Sequence, residues 1–93
     1  MTLTQLKYVL AIAKAGTINA AAKQLFISQP TLSSAVKELE AELGISLFNR
    51  TSKGVEPTAD GEEFLSYARQ VVMQTDLIEE RYLGTAPRSE EHT

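Results

Sequence analysis

The sequence predicts a mainly α-helical fold, a winged helix-turn-helix in which three helices and a small β-hairpin are followed by one long helix. Two observations predict it. Apolar residues recur at helical spacing in separate segments of the chain. The third of these segments opens on Ser28-Gln29-Pro30, a strong helix start, and a turn of about three residues joins it to the helix before. That order is typical of a helix-turn-helix.

The first two helices are marked by their ends. Thr4 is a candidate cap for the first, which Gly16 closes because glycine suits the left-handed position after a helix. Thr17 can cap a second helix over residues 18–25, and we expect the next two residues, Phe26 and Ile27, to form a tight, buried turn. The expected buried stripe of the first helix comprises Leu6, Val9, Leu10 and Ala13, with Ile12 beside it.

The third helix combines a narrow apolar stripe with an unusual polar face. The stripe consists of Leu32, Val36, Leu39 and Leu43, and Gly44 ends the helix. The other face is short, rich in hydrogen-bonding groups and free of acids before Glu38; it carries Gln29, Thr31, Ser33, Ser34 and Lys37. Small polar residues at the start of a helix suit the DNA major groove, because such a helix can approach the base edges closely.

A hairpin and a long helix complete the domain. We expect a short strand around residues 47–49, a turn over residues 51–54 and a returning strand over residues 55–57, with Arg50 and Lys53 near the tip. Thr58 can cap a last helix that reaches Tyr82 or Leu83. Its apolar surface exceeds what a small core can cover, so we expect it to pair with a second copy. The residues predicted to form that homodimer are Phe64, Leu65, Ala68, Val71, Val72, Ile78 and Tyr82, of which the first three also pack on their own domain. The expected domains are therefore residues 1–58 for the winged helix-turn-helix, 59–83 for the linker helix and 84–93 for a disordered tail.

Composition bounds the alternatives. A chain of 93 residues is expected to form one folded unit, and the absence of cysteine excludes a disulfide framework and thiolate metal sites. No apolar run approaches the roughly 20 residues of a membrane span. The residues after Met1 do not form a signal peptide, so we expect a cytoplasmic protein.

Charge is distributed unevenly along the chain. The net charge of −3 argues against a nucleic-acid partner. However, residues 1–37 contain four lysines and no acid, whereas residues 62–93 contain three arginines and seven acids. Because the local field matters more than the total, a basic first half remains compatible with phosphate contacts.

The order of motifs resembles the N-terminal DNA-binding domain of LysR-type transcriptional regulators over about residues 3–83. The resemblance implies a winged helix-turn-helix, an antiparallel dimer through the linker helix, and binding to double-stranded DNA at an interrupted palindrome. It also implies a larger effector-binding domain, so the chain looks like a DNA-binding fragment, and tetramers of the full-length protein. Ile18 and Ser34 depart from the family pattern, and a serine reaches less far towards bases. The matching residues are Leu6, Tyr8, Gly16-Thr17-Ile18, Ala21-Ala22, Leu25, Ser28 to Ser33, Val36, Leu39-Glu40, Leu43-Gly44, Leu47-Phe48, Arg50, Val55, Thr58 and Gly61.

The candidate DNA-binding residues have separate expected roles. Gln29 can pair with adenine, and Pro30 and Thr31 can contact a thymine methyl group. Thr17 and Ser28 are helix caps that can also face a phosphate, where a helix N-terminus favours an anion. The full set is Thr17, Ser28, Gln29, Pro30, Thr31, Ser33, Ser34, Lys37, Arg50 and Lys53, with Ser33 and Ser34 as base contacts, Lys37 and Arg50 as backbone contacts and Lys53 at the minor groove.

Other functions have less support. No paired carboxylates, activated nucleophile, phosphate loop or metal-ligand spacing suggests an enzyme, a cofactor or a metal. Glu40 is expected to pair with Arg50 or to cap nearby backbone, and His92 has no companion ligand. The alternatives left open are a winged-helix module for protein–protein contact, which the acidic net charge favours, a small enzyme, and a dimeric regulator of another class.

Overall fold

The computed structural model describes residues 1–84. Apart from Gly84, the predicted tail therefore lies outside the described residues. The described part consists of four helices and one two-stranded antiparallel sheet, which confirms the mainly α-helical winged architecture. No helix within residues 1–84 has the length and hydropathy needed to cross a membrane. The elements are α1 (Leu3–Ala15), α2 (Ile18–Leu25), α3 (Gln29–Leu43), β1 (Phe48–Thr51), β2 (Gly54–Pro57) and α4 (Ala59–Tyr82).

Three of the four predicted helix caps are confirmed. Thr17, Ser28 and Thr58 accept the backbone N–H groups of residues 20, 31 and 61 at 3.0, 3.2 and 2.8 Å. The prediction for α1 was wrong, because Thr2 rather than Thr4 is its cap. Gln5 explains the difference: its side chain accepts the Thr2 N–H while the Thr2 hydroxyl accepts the Gln5 N–H, which is a reciprocal capping box.

The core surrounds α1, which packs against α2, α3 and α4. Ile12, placed beside the stripe from sequence, is completely buried, whereas Leu10 and Ala13 are only half-buried. The stripe is wider than expected because α1 is covered from several sides. The fully buried large side chains are Val9, Ile12, Leu32, Leu39, Leu47 and Leu65.

The turn between α2 and α3 corrects another expectation. Phe26 is 93% exposed, not buried, and it has a left-handed backbone with φ of 60°. Its N–H donates to the carbonyl of Lys23 at 3.2 Å, which closes α2. Ile27 is half-buried and packs against the core. The left-handed residue ends α2 and turns the chain towards α3, and of the two apolar side chains only that of Ile27 then packs on the core.

The turn at the tip of the hairpin has two residues rather than the four predicted. Thr51 and Gly54 form the last pair of the ladder, so only Ser52 and Lys53 remain in the turn. The hairpin is attached to the helices through β2, because the Val55 N–H donates to the Gly16 carbonyl at 2.9 Å. We call residues 48–57 the wing.

Helix α4 divides into a core part and an exposed part. Gly61, Leu65 and Ala68 are buried in this chain's own core, and a Cβ at position 61 would collide with the Leu47 carbonyl oxygen. The assignment of Leu65 and Ala68 to a dimer contact is therefore corrected: they are 1% and 2% exposed, so a second copy cannot reach them. Phe64 is half-buried against the same core.

From Tyr67 onward, α4 exposes most of its large apolar side chains. The large apolar side chains exposed on it are Tyr67, Val71, Met73, Leu77, Ile78 and Tyr82, with Val72 half-buried.

Candidate nucleic-acid interface

Three elements enclose a concave polar surface, which we call the wing groove. Its walls are the start of α2, the start of α3 and the wing. It brings together four of the predicted site residues, Thr17, Gln29, Arg50 and Lys53. None of the described residues that line it is acidic. The full lining is Thr17, Ile18, Asn19, Gln29 and residues 50–55.

The wing groove depends on the contact between the α1–α2 turn and β2. Gly16 ends α1 with φ of 85°, and its carbonyl accepts the Val55 N–H. Gly54 lies so close to this carbonyl that a Cβ there would overlap its oxygen and would also contact the Thr17 side chain. Only glycine permits this approach. As a result, Arg50 and Lys53 lie beside the N-terminal ends of α2 and α3.

A second groove continues along α3. Ser33 and Lys37 line it together with Arg50, which also lines the wing groove. Glu40 is its acidic residue, and its carboxylate accepts the Leu47 N–H at 2.7 Å. The expectation that Glu40 caps nearby backbone is thus confirmed, and its carboxylate serves the connection between α3 and the wing.

The remaining candidates lie on the other flank of α3. Pro30, Thr31 and Ser34 share a shallow surface with Glu38. Ser28 accepts the Thr31 N–H and also donates its hydroxyl to the Thr31 hydroxyl at 2.7 Å. Both hydroxyls therefore have a hydrogen-bond partner within the protein, and the role that the geometry shows for Ser28 is that of a helix cap.

Sequence reasoning missed Asn19 and Ser52. Asn19 is exposed in the second position of α2, and it lines the wing groove beside Gln29. Ser52 lies in the two-residue turn of the wing. A polar residue just after a helix cap was the available signal for Asn19. Asn19 becomes a candidate site residue only because the wing lies next to it in the fold, and the wing is more than 30 residues later in the chain.

The basic residues of the first half do not all lie on one side. Lys37 lines the groove along α3, whereas Lys14 lies with Arg69, Leu10 and Ala13 in a separate depression. The acid-free first part of the chain therefore supplies a positive groove only in combination with Arg50 and Lys53 of the wing.

Comparison with known proteins adds an independent finding. Residues 3–62 match the model described as "Bacterial regulatory helix-turn-helix protein, lysR family". The HTH-type transcriptional regulator ClcR of Pseudomonas putida is 46% identical over 77 residues, which are 83% of this chain and 26% of ClcR. The chain thus spans about a quarter of the length of that curated relative.

Solved structures agree with this match. The crystal structure of the CbnR DNA-binding domain in its DNA complex superimposes with a TM-score of 0.82 at 42% identity, covering 87% of this chain and 93% of that one. CbnR itself, a LysR family transcriptional regulator, gives a TM-score of 0.85 at 40% identity, covering 90% of this chain and 29% of that one.

Proposed function

The chain belongs to the LysR family of bacterial regulatory helix-turn-helix proteins, and from that premise we propose that it binds double-stranded DNA sequence-specifically, as the DNA-binding part of a transcriptional regulator. The observation that carries the proposal is the wing groove. Gln29, at the exposed start of α3, lines this groove together with the two cations Arg50 and Lys53, and none of its described lining residues is acidic. The solved complex of a related DNA-binding domain with DNA supports the same partner.

The proposed mechanism is non-covalent. The start of α3 enters the major groove, where Gln29 reads an adenine and Ser33, Ser34 and Thr31 reach neighbouring base edges. Lys37 and Arg50 hold the phosphate backbone, and Lys53 at the tip of the wing lies at the minor groove. The N-terminal end of α2, capped by Thr17, presents free N–H groups to a phosphate. We add Asn19 to this set, because it shares the wing groove with Gln29.

We further propose that α4 joins two copies of the chain. Its exposed apolar residues Val71, Ile78 and Tyr82, with Val72 at their edge, need a partner surface. Two copies joined through this helix would present two α3 helices to the two halves of an interrupted palindrome, in the bacterial cytoplasm. In the full-length protein, pairs of such dimers would form a tetramer.

The experiment that tests the proposal is selection of bound sequences from a pool of random duplexes, followed by footprinting. We expect enrichment of a palindrome with two half-sites protected on one face of the DNA. The matched control is Gln29→Ala, which keeps the cations and should lose the selected preference while it retains weak binding at low salt. A wild-type protein that enriches no sequence, and binds no random duplex at micromolar concentration and low salt, would favour the protein–protein module instead.

A further inference from the structure

Phe26 is an aromatic residue that the fold does not use. At 93% exposure it is the most exposed of the large apolar side chains in residues 1–84. Its backbone is also unfavourable, with φ of 60°, the one positive value at a non-glycine residue in that range. It ends α2 as the C-terminal cap residue.

Stability alone would select a different residue here. The left-handed position after a helix favours glycine or asparagine, because a bulky side chain is strained in that conformation. A solvated phenylalanine ring gains nothing from the hydrophobic effect. Neither the local backbone nor packing within residues 1–84 therefore favours phenylalanine at position 26.

The position of Phe26 indicates what the ring would meet. Phe26 lies two residues before Ser28, the cap of α3, and three residues before Gln29, the first residue of that helix. When the start of this helix enters a major groove, the corner just before it lies at the edge of that groove. The apolar groups available there are thymine methyl groups and deoxyribose carbons, and phenylalanine is suited to contacting a thymine methyl.

The surroundings of Phe26 favour DNA over a protein partner. Its exposed neighbours along the chain, Lys23, Gln24 and Gln29, are basic or neutral and polar, and residues 1–37 contain no acid. Such a setting suits a phosphate-bearing partner. The exposed apolar residues of α4 form a broader surface on a different helix, which is where a second copy would pack.

We propose that Phe26 is a DNA contact, whose ring packs against a thymine methyl group or a deoxyribose at the edge of the major groove beside α3. This inference rests on the proposed function. It makes Phe26 a determinant of affinity and, where the contact is a methyl group, of thymine preference at one position of each half-site.

The test compares Phe26→Asn with Phe26→Leu, using duplex selected by the wild-type protein. Asparagine tolerates the left-handed backbone, so Phe26→Asn should unfold at the same or a higher temperature than wild type while binding about tenfold more weakly. Phe26→Leu keeps an apolar side chain and should bind within about threefold of wild type. Binding of Phe26→Asn within about threefold of wild type would overturn the proposal. Loss of affinity together with a lower unfolding temperature would also overturn it, because Phe26 would then act through the fold.

A second measurement identifies the DNA group. Replacing each thymine of the duplex by uracil removes one methyl group at a time. If the contact is a methyl group, one replacement should weaken wild-type binding and leave Phe26→Asn unaffected; if it is a deoxyribose, no replacement should distinguish the two proteins. The failure of this inference is separable from that of the proposed function. Weak binding by Gln29→Ala with unchanged binding by Phe26→Asn would reject only the Phe26 contact, whereas a wild-type protein without DNA binding would reject both.

Discussion

Replacing Gly54 with alanine tests how the wing is held against the helices. Gly54 has φ of 145°, and a Cβ at this position would overlap the Gly16 carbonyl oxygen. That oxygen accepts the Val55 N–H at 2.9 Å. The variant must therefore displace the wing or break this hydrogen bond, and either change moves Arg50 and Lys53 away from the start of α3.

The expected effect on stability is large for a domain of this size. Backbone strain at such a φ costs about 1–3 kcal/mol, and the weakened hydrogen bond adds about 1 kcal/mol. Because each kcal/mol lowers the melting temperature of a small domain by about 4–8 °C, Gly54→Ala should melt roughly 10 °C or more below wild type. Gly44→Ala is the matched control. Its φ is 74° and no atom lies within 4 Å of a Cβ built there, so it adds only backbone strain, about 1–2 kcal/mol.

Thermal unfolding followed by circular dichroism measures both variants. The protein concentration must be fixed, because a dimer melts in a concentration-dependent way. Below the transition, Gly54→Ala should bind the selected duplex more weakly than Gly44→Ala does. A melting temperature for Gly54→Ala equal to or above that of Gly44→Ala would refute the argument that the wing is fastened at this contact.

Four further substitutions have distinct expected outcomes. Gln29→Ala should weaken binding to the selected duplex by about 1–3 kcal/mol and relax its preference at one position, as measured by fluorescence anisotropy; unchanged affinity would reject α3 as the reading helix. Lys53→Ala should lower the slope of log affinity against log salt by about one, and an unchanged slope would remove the wing from the contact. Glu40→Ala should lower the free energy of unfolding by about 1–3 kcal/mol, because it leaves the Leu47 N–H without its acceptor. Denaturant titration measures this free energy, and an unchanged value would contradict the structural role of the Glu40 carboxylate. Ile78→Asp should shift the protein towards monomer in sedimentation, while a persistent dimer would place the pairing surface elsewhere.

Local chemistry explains why most of the fold was predictable from sequence. Ser28, Thr17 and Thr58 are caps whose partners lie three residues ahead, so they need no tertiary information. The error at Thr4 had a local cause too, since Gln5 completes a capping box with Thr2 that was overlooked.

Burial was harder to predict, because periodicity identifies an apolar face without identifying what covers it. Leu65 and Ala68 share a helix with exposed Val71, and the packing of α4 against other elements, mainly α1, decides that the first two are core. Phe26 was misplaced because large apolar residues are usually buried but need not be.

The candidate site was predicted as a set of residues rather than as a surface. The polar face of α3 followed from residue types, and Arg50 and Lys53 followed from the hairpin. The start of α3 and the two wing cations come together beside Thr17 and Asn19 because Gly54 packs closely on Gly16. These two glycines are far apart in sequence, so the sequence alone did not predict this surface.

The most direct test of the account is a titration of the protein with the selected duplex, followed by the backbone amide signals in NMR spectra. The account predicts that the largest shifts fall at the start of α2, at Gln29 and the following turn of α3, and at residues 50–55 of the wing. Shifts confined to the exposed part of α4, or no shifts at all with duplex in excess, would contradict the claim that the wing groove and α3 receive DNA.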